Sequence, residues 1–119
     1  MSQNFQAGDY LIFQIESAYG LLRLLAVEKT EDDMVWHLAA YNEMFLDIDM
    51  ADAVLENSQS LTISNPHLAL TNRAFESTQV ARMKNEPLTS EELKFFENWK
   101  NNPNREVSDR SVRLMLGLR

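Results

Sequence analysis

Cysteine is absent from this chain of 119 residues. Its absence excludes a disulfide scaffold, a thiol nucleophile and a thiolate metal site, and is compatible with an oxidising or a reducing compartment. Only three glycines occur, so the glycine-rich loops that hold dinucleotides or nucleotide phosphates cannot be assembled. We therefore expect no cofactor of these kinds.

Long apolar runs are also missing. No uninterrupted apolar stretch approaches the roughly 18 residues that a membrane-spanning helix needs. The first ten residues, MSQNFQAGDY, lack the basic start and the apolar run of a signal peptide. We expect a single cytoplasmic domain over residues 1–119 with no membrane partner.

Basic residues are missing from a long central stretch. Between Thr30 and Asn72 the sequence contains no lysine or arginine, but it contains eight carboxylates. Residues 1–72 carry 2 basic and 11 acidic side chains, a net charge of −9, whereas residues 73–119 carry 9 basic and 7 acidic ones, a net charge of +2. A sequence pI near 4.7 opposes contact with phosphate backbones, so nucleic acid is not expected as a direct partner.

The carboxylates resemble a calcium loop only superficially. With Asp47 as the first position of an EF-hand loop, the sixth position is Asp52 where the turn needs glycine. The twelfth position is Ser58, where a bidentate glutamate is needed. The spacing therefore predicts a solvated acidic surface and no metal site.

The first third of the sequence predicts antiparallel strands. Residues 10–16 and 34–41 are rich in aromatic and branched side chains, and turn residues separate the apolar segments. Residues 21–28 are apolar on both faces except for Arg23, which predicts a strand that is covered on both sides. Gly20 is expected to take a positive φ in the first turn. Together these features predict a β-meander over residues 8–41.

A helix over residues 89–101 has the clearest local signal. Thr89 is placed as its N-cap, Glu92 completes a capping box, and Leu88 can contact Leu93 across the first turn. Apolar residues at helical spacing should dock this helix on the sheet. They are Leu93, Phe96 and Trp99.

The remaining segments carry weaker signals. Asp49 is expected to cap a short acidic helix over residues 49–57. Short strands are expected over 61–83, with a turn at residues 65–66, and residues 107–118 fit a strand or a helix. The predicted fold is α+β, with an antiparallel, partly closed sheet of five to six strands. It would be SH3-like or a small barrel, with the acidic helix and the C-terminal docking helix packed on it.

The two histidines and one aromatic residue of the predicted C-terminal helix are candidates for chemical or binding roles. His37 and His67 are the only imidazoles, and the first lies inside a predicted strand while the second follows a proline in a predicted turn. Such positions favour packing or surface roles over catalysis. Phe95 is about 100° around the helix from Phe96, which predicts that it is partly exposed and able to anchor a partner.

A recognisable pattern begins the chain: Gly8 and Asp9 precede an apolar strand, Tyr19 and Gly20 mark a turn, and a second apolar strand contains Arg23. The pair Pro87 and Leu88 follows later. This pattern, which covers about a third of the chain, resembles that of bacterial polymorphic-toxin immunity proteins of the small β-barrel type. The resemblance implies a non-catalytic protein that binds and neutralises a cognate toxin, often a basic nuclease.

The sequence thus favours a non-catalytic, acidic protein-binding module, an immunity or inhibitor protein, whose partner is a basic protein such as a toxin. The predicted contact residues are Glu43, Asp47, Asp49, Asp52 and Glu56. The alternative is a small-ligand-binding or enzymatic barrel that uses His37 with nearby carboxylates in an apolar pocket. The sequence leaves a third role open, that of a self-associating subunit.

Overall fold

The computed structural model describes residues 4–116. Its first three strands form an antiparallel meander: β1 (Asp9–Ile15), β2 (Ala18–Lys29) and β3 (Met34–Phe45). The apolar segment of β2 is buried on both of its sides, as its composition predicts. The three strands form the centre of the sheet.

Two further strands complete a five-stranded antiparallel sheet in the order β4-β3-β2-β1-β5. Strand β4 (Ile63–Thr71) pairs with β3, and β5 (Ala81–Asn85) pairs with β1. The sheet is open, because β4 and β5 lie at opposite edges and do not pair within residues 4–116. The partly closed barrel predicted from the sequence is not formed. A barrel encloses one face of its sheet, whereas helices cover both faces of this one.

The first face of the sheet packs against α2 (Asn72–Thr78) and α4 (Val112–Met115). Trp36 of β3 stacks on Phe75 of α2 with 4.0 Å between ring centroids and 7° between ring planes. This face holds the larger apolar core. Its buried strand residues are Leu11, Phe13, Ile15, Leu22, Leu24, Trp36, Leu38, Ala40, Leu68 and Leu70.

The second face packs against α1 (Ile48–Leu55) and α3 (Ser90–Lys100). At the α1 end the core is apolar and includes Ala51 and Leu55 of the helix. At the α3 end the sheet contributes two polar side chains, Arg23 and His37. Both are buried, with exposed fractions of 2% and 0%. This polar half of the second face sets up the chemistry described below.

Helix α3 begins as its sequence predicts. The hydroxyl of Thr89 accepts the Glu92 backbone N–H, and the Glu92 carboxylate accepts the Thr89 backbone N–H, which is a complete capping box. The N-cap of helix α1 lies two residues before the predicted cap, Asp49. Its N-cap is Asp47, whose carboxylate accepts the Met50 N–H at 2.8 Å, and Asp49 lies in the first turn.

The prediction of short strands over 61–83 is wrong in two places. Strand β4 continues through residues 65–66, where a turn was expected, because Pro66 lies on an edge strand at an irregularity that needs no N–H. Residues 72–78 are helical, since Thr71 caps α2 by accepting the Ala74 N–H and Phe75 is buried on the sheet. Only residues 81–85 form the strand expected in this region.

Two smaller expectations also change. Gly20 lies inside β2, and Glu16 takes the left-handed φ of 46° in the first turn. A Cβ at position 20 would lie 2.9 Å from the Phe13 ring, so close packing requires this glycine. In the 107–118 segment, residues 112–115 form α4 with Ser111 as N-cap, and residues 117–118 lie outside the described part of the chain.

None of the helices found within residues 4–116 is long and apolar enough to cross a membrane.

Candidate functional site

The stretch from Glu43 to Glu56 exposes large apolar side chains. Met44, Leu46, Ile48 and Met50 are 45%, 75%, 48% and 47% exposed. Phe45, between the first two, is buried. Met44 lines a recess with Met115 and Leu116 near α4. Leu46, Ile48 and Met50 are exposed within five residues around the start of α1, and exposed apolar side chains concentrated in this way are typical of a surface that binds another molecule. Residues 43–56 are called the α1 surface below.

Carboxylates surround these apolar side chains, and two of them have internal roles. Glu43 accepts the backbone N–H and the hydroxyl of Thr62 at 2.8 and 2.6 Å. Partial burial acts to raise the pKa of Glu43, but these hydrogen bonds outweigh it and the pKa is lowered. Asp47 caps α1. Both side chains therefore fix the local backbone as well as adding negative charge.

The other three predicted contact residues, Asp49, Asp52 and Glu56, are exposed on α1. The opposite side of the helix buries Ala51 and Leu55 against the sheet, so the helix is held in place by its apolar side. The structure thus places all five predicted carboxylates on one short segment. It adds the exposed apolar side chains, which the charge pattern alone does not reveal.

A buried arginine connects α3 to the centre of the sheet. The guanidinium of Arg23 donates to both carboxylate oxygens of Glu92, at 2.9 and 3.3 Å, and to the carbonyls of Gly8 and Pro87. It also lies 4.2 Å from the ring centroid of Tyr10. Burial acts to lower the pKa of Arg23, but Glu92 and nearby groups raise it, so the side chain stays charged. This ion pair orients the first turn of α3.

A chain of hydrogen bonds lies beneath the other end of α3. His37 Nε2 is 2.8 Å from a carboxylate oxygen of Glu28, and His37 Nδ1 is 2.9 Å from His67 Nε2. The rings of Phe96 and Trp99 pack on His37 with centroids 4.5 and 4.6 Å away. These five side chains are called the histidine cluster below. Because the Glu28 carboxylate can only accept a hydrogen bond, neutral His37 donates its Nε2–H to Glu28. Its Nδ1 then accepts the hydrogen bond that His67 donates from Nε2.

Both imidazoles of the histidine cluster are held neutral. Burial lowers the pKa of His37, and the hydrogen bond and charge of Glu28 only partly oppose it. Burial, and then the charge of His37, lower the pKa of His67 to about 4. Protonation of both rings would place two N–H groups against each other at the 2.9 Å contact. The two imidazoles thus form a packed, neutral contact beneath α3.

A cleft of about 440 Å³ borders the cluster at the β4 edge. His67 and Trp99 line it together with the loop that follows α3, including Arg105 and Glu106. His37 is fully buried behind His67 and does not line this cleft. Any ligand in the cleft would meet His67 first.

Sequence reasoning places His37 inside a strand but does not bring His67 to it. On β4 the two residues Pro66 and His67 lie opposite the single residue Ala39 of β3, which is a β-bulge. His67 lies two residues from Ala69, the register partner of His37, so the two imidazoles share one face of the sheet, with 5.1 Å between ring centroids. The Pro-His pair inside an edge strand is a weak signal of such a bulge.

The structure defines an open α+β domain with helices on both faces of its sheet and an exposed apolar and acidic surface at one end. Comparison with known proteins adds no family: no protein-family model matches the chain, and no significantly similar curated protein or solved structure was found.

Proposed function

We propose that this protein is a non-catalytic binding module whose α1 surface holds a basic protein partner. The observation that carries the proposal is the group of three exposed apolar side chains at residues 46–50, set among carboxylates. Protein interfaces combine an apolar centre with a polar rim, and the apolar part supplies most of the affinity.

The charge of the α1 surface selects the partner. No lysine or arginine lies between Thr30 and Asn72, so no basic side chain within that stretch neutralises the carboxylates. Among residues 4–116, no ion pair involves Asp49, Asp52 or Glu56. Lys84 of β5 donates to the Leu55 carbonyl at the end of α1 at 3.2 Å, but its ion pair is with Glu86. A surface with an excess of carboxylates attracts a basic partner and raises its association rate, an effect that salt screens beyond about 8 Å at physiological ionic strength.

The biological role that we propose is that of an immunity or inhibitor protein that neutralises a basic toxin. Support for this role comes from the resemblance of the N-terminal hairpin and of the Pro87-Leu88 pair to immunity proteins. The arginine of that hairpin, Arg23, pairs with Glu92 and so joins the hairpin to α3. A fixed arrangement of sheet and helices suits rigid docking to a partner.

Charge reversal tests the proposal. The variant Asp49→Lys, Asp52→Lys, Glu56→Lys leaves the Asp47 cap in place and changes three exposed side chains. The matched control, Glu31→Lys, Asp32→Lys, Asp33→Lys, makes the same charge change in the exposed turn between β2 and β3. Proteins captured from the host at low salt by the natural chain are purified, and their association with the natural chain and with both variants is measured.

We expect the α1 variant to lower the association rate constant by about tenfold or more at low salt, and the control variant to lower it much less. Added salt should reduce the rate for the natural chain and remove most of the difference between variants. Equal rates for both variants, or a rate that is indifferent to salt, would contradict the proposal.

The alternative, a ligand-binding or enzymatic protein that uses His37, has less support. Its premise is an apolar pocket lined by His37, but that side chain is 0% exposed and covered by Phe96 and Trp99. His67 is the member of the histidine cluster that borders a cleft. Chemistry at this cluster would therefore have to begin at His67.

A further inference from the structure

A second, smaller recess lies on the second face of the sheet between α3 and the start of β4. Buried Leu25 and Ala39 line it from the sheet, and Ile63, Pro66 and Phe95 line it from the adjoining elements. Its volume is about 140 Å³. Thr89, Glu91 and Glu92 complete the lining. This recess is called the Phe95 notch below.

The notch exists because two neighbouring aromatic residues of α3 point in different directions. Phe96 packs on His37 and is only partly exposed, whereas Phe95 is 41% exposed. Ile63 opposes it from β4 and is 47% exposed. Phe95 and Ile63 are thus both partly exposed, and they lie on opposite sides of the apolar recess. An aromatic residue at a recess of this kind is a common anchor point in protein interfaces.

The size of the notch limits what can fill it. A cavity of about 150 Å³ lined by apolar side chains can hold one benzene-sized group. The Phe95 notch, at about 140 Å³, therefore matches one leucine, methionine or phenylalanine side chain. It is too small for a folded segment or for a nucleotide.

The charge at the rim of the notch favours a partner that carries a positive charge beside the apolar side chain that enters the notch. Glu91 is exposed, and no ion pair involves it among the described residues. Glu92 is already neutralised by Arg23, so the charge of Glu91 is the one that a partner would meet. The notch also borders the α1 surface, because Ile63 follows Thr62, to which Glu43 is bonded.

We infer that the Phe95 notch is the anchor pocket for one apolar side chain of the basic partner, flanked in that partner by lysine or arginine that meets Glu91. The inference rests on the proposed function, since it takes the partner to be the same basic protein. It extends the binding surface from α1 across the start of β4 to α3.

Short peptides test the notch without knowledge of the partner. The probe is acetyl-Lys-Leu-Lys-amide, titrated into the full chain labelled with nitrogen-15 while amide chemical shifts are followed. Acetyl-Lys-Ala-Lys-amide lacks the anchor side chain, and acetyl-Glu-Leu-Glu-amide carries the opposite charge. We expect the first peptide to shift resonances around Phe95, Ile63 and Glu91 and to bind about tenfold more tightly than either control peptide.

Two variants of α3 and one control variant of α4 locate the binding. Phe95→Ala should weaken binding of the leucine peptide by about tenfold, and Leu114→Ala, a matched change at a residue of α4 that is 66% exposed, should leave it unchanged. Glu91→Lys should weaken binding of the basic leucine peptide and strengthen binding of the acidic one. Both altered positions of α3 are exposed, and thermal unfolding of each variant verifies that the fold is retained.

Shifts elsewhere on the protein, equal affinity for the leucine and alanine peptides, full binding to Phe95→Ala, or no binding at all would each overturn the inference. Its failure is separable from failure of the proposed function. The charge-reversal kinetics do not alter the notch, and the peptide titration does not use the carboxylates of α1. If charge reversal slows association but the leucine peptide does not bind at the notch, only the anchor pocket is rejected.

Discussion

Arg23 shows why a single charged residue can stay in a covered strand. Its side chain is 2% exposed, but each side of the guanidinium is occupied by a carboxylate, a carbonyl or an aromatic ring. A buried charge is costly unless it is paired and its hydrogen bonds are satisfied. The planar, multidentate guanidinium meets that condition here, and lysine could not make the same contacts.

The histidine cluster uses imidazoles in their neutral form. His37 and His67 share one hydrogen bond, and the rings of Phe96 and Trp99 pack on His37. A neutral pair of this kind adds to stability only while both rings remain unprotonated. The free energy of unfolding should therefore depend on pH in the range where histidine ordinarily titrates.

The pH dependence can be predicted in sign. The pKa of His67 is lowered from 6.5 to about 4, so the unfolded chain binds a proton that the folded chain excludes. The stabilisation is complete above about pH 6.5 and is lost as the pH falls toward 4, by on the order of 2 kcal/mol for this residue. Urea unfolding between about pH 7 and pH 5 measures this loss.

The variant His67→Asn provides the comparison. It removes the titrating ring, so the free energy of unfolding should fall less steeply with decreasing pH than in the natural chain. A smaller slope should remain because the pKa of His37 is also lowered. Staying above about pH 5 avoids the titration of Asp9 and Glu92, whose pKa values are lowered. An unchanged slope in the variant would contradict the assignment.

At the scale of the element, α1 illustrates how one side chain can serve two purposes. The sequence predicts Asp47 as a partner contact, and the structure shows it as the N-cap of α1. Reversing its charge would therefore disturb the helix as well as the surface. The charge effect and the capping effect can be separated by substitution.

Asp47→Ala removes both the charge and the cap, and should lower the free energy of unfolding by about 1 kcal/mol. Asp47→Ser removes the charge but keeps an oxygen that can accept the Met50 N–H, so its stability should stay close to that of the natural chain. Chemical denaturation of the two variants measures the difference. Equal stability of the two variants would show that the hydrogen bond from Met50 contributes little.

Helix α3 and strand β4 differ in how far their sequences determine them. The capping box of α3 joins residues three apart, and it forms as predicted. For the region of β4 the sequence predicts two short strands and a turn between them, because Asn65 and Pro66 are common in turns. Pairing with β3 overrides that preference, and the bulge accommodates the proline.

At the scale of the whole molecule, the covering of both faces explains the open sheet. Helices α2 and α4 bury the first face, while α1 and α3 bury the second. A sheet with two buried faces gains nothing by curling into a barrel, because closure would expel one helical layer. Strands β2 and β3 lie in the centre of this arrangement and β4 and β5 at its edges.

This architecture predicts a gradient of local stability. Amide hydrogens of β2 and β3, which have a partner strand on each side, should exchange with solvent only through global unfolding. Amides of the short edge strand β5 and of α4 should exchange faster, through local opening. Hydrogen exchange followed by nuclear magnetic resonance measures both. Equal protection of β5 and β2 would contradict the expected gradient.

The candidate site was predictable in part. The acidic residues of the α1 surface are visible in the sequence because charge is a property of composition and needs no fold. The exposure of Leu46 and Ile48 was not, since an apolar residue in a sequence is ordinarily assigned to the core. Phe95 is an intermediate case, because helical geometry turns it away from the stripe that Phe96 joins.

By itself the sequence determined the local features: the meander, the capping box, the absence of cysteine chemistry, and the acidic stretch. Each depends on neighbours in the chain or on composition. Tertiary structure alone decided that Arg23 pairs with Glu92, 69 residues away, and that His67 meets His37 across the pairing of β3 with β4. Such pairs depend on strand register and on helix docking, and a register change of one residue would turn each side chain to the opposite face.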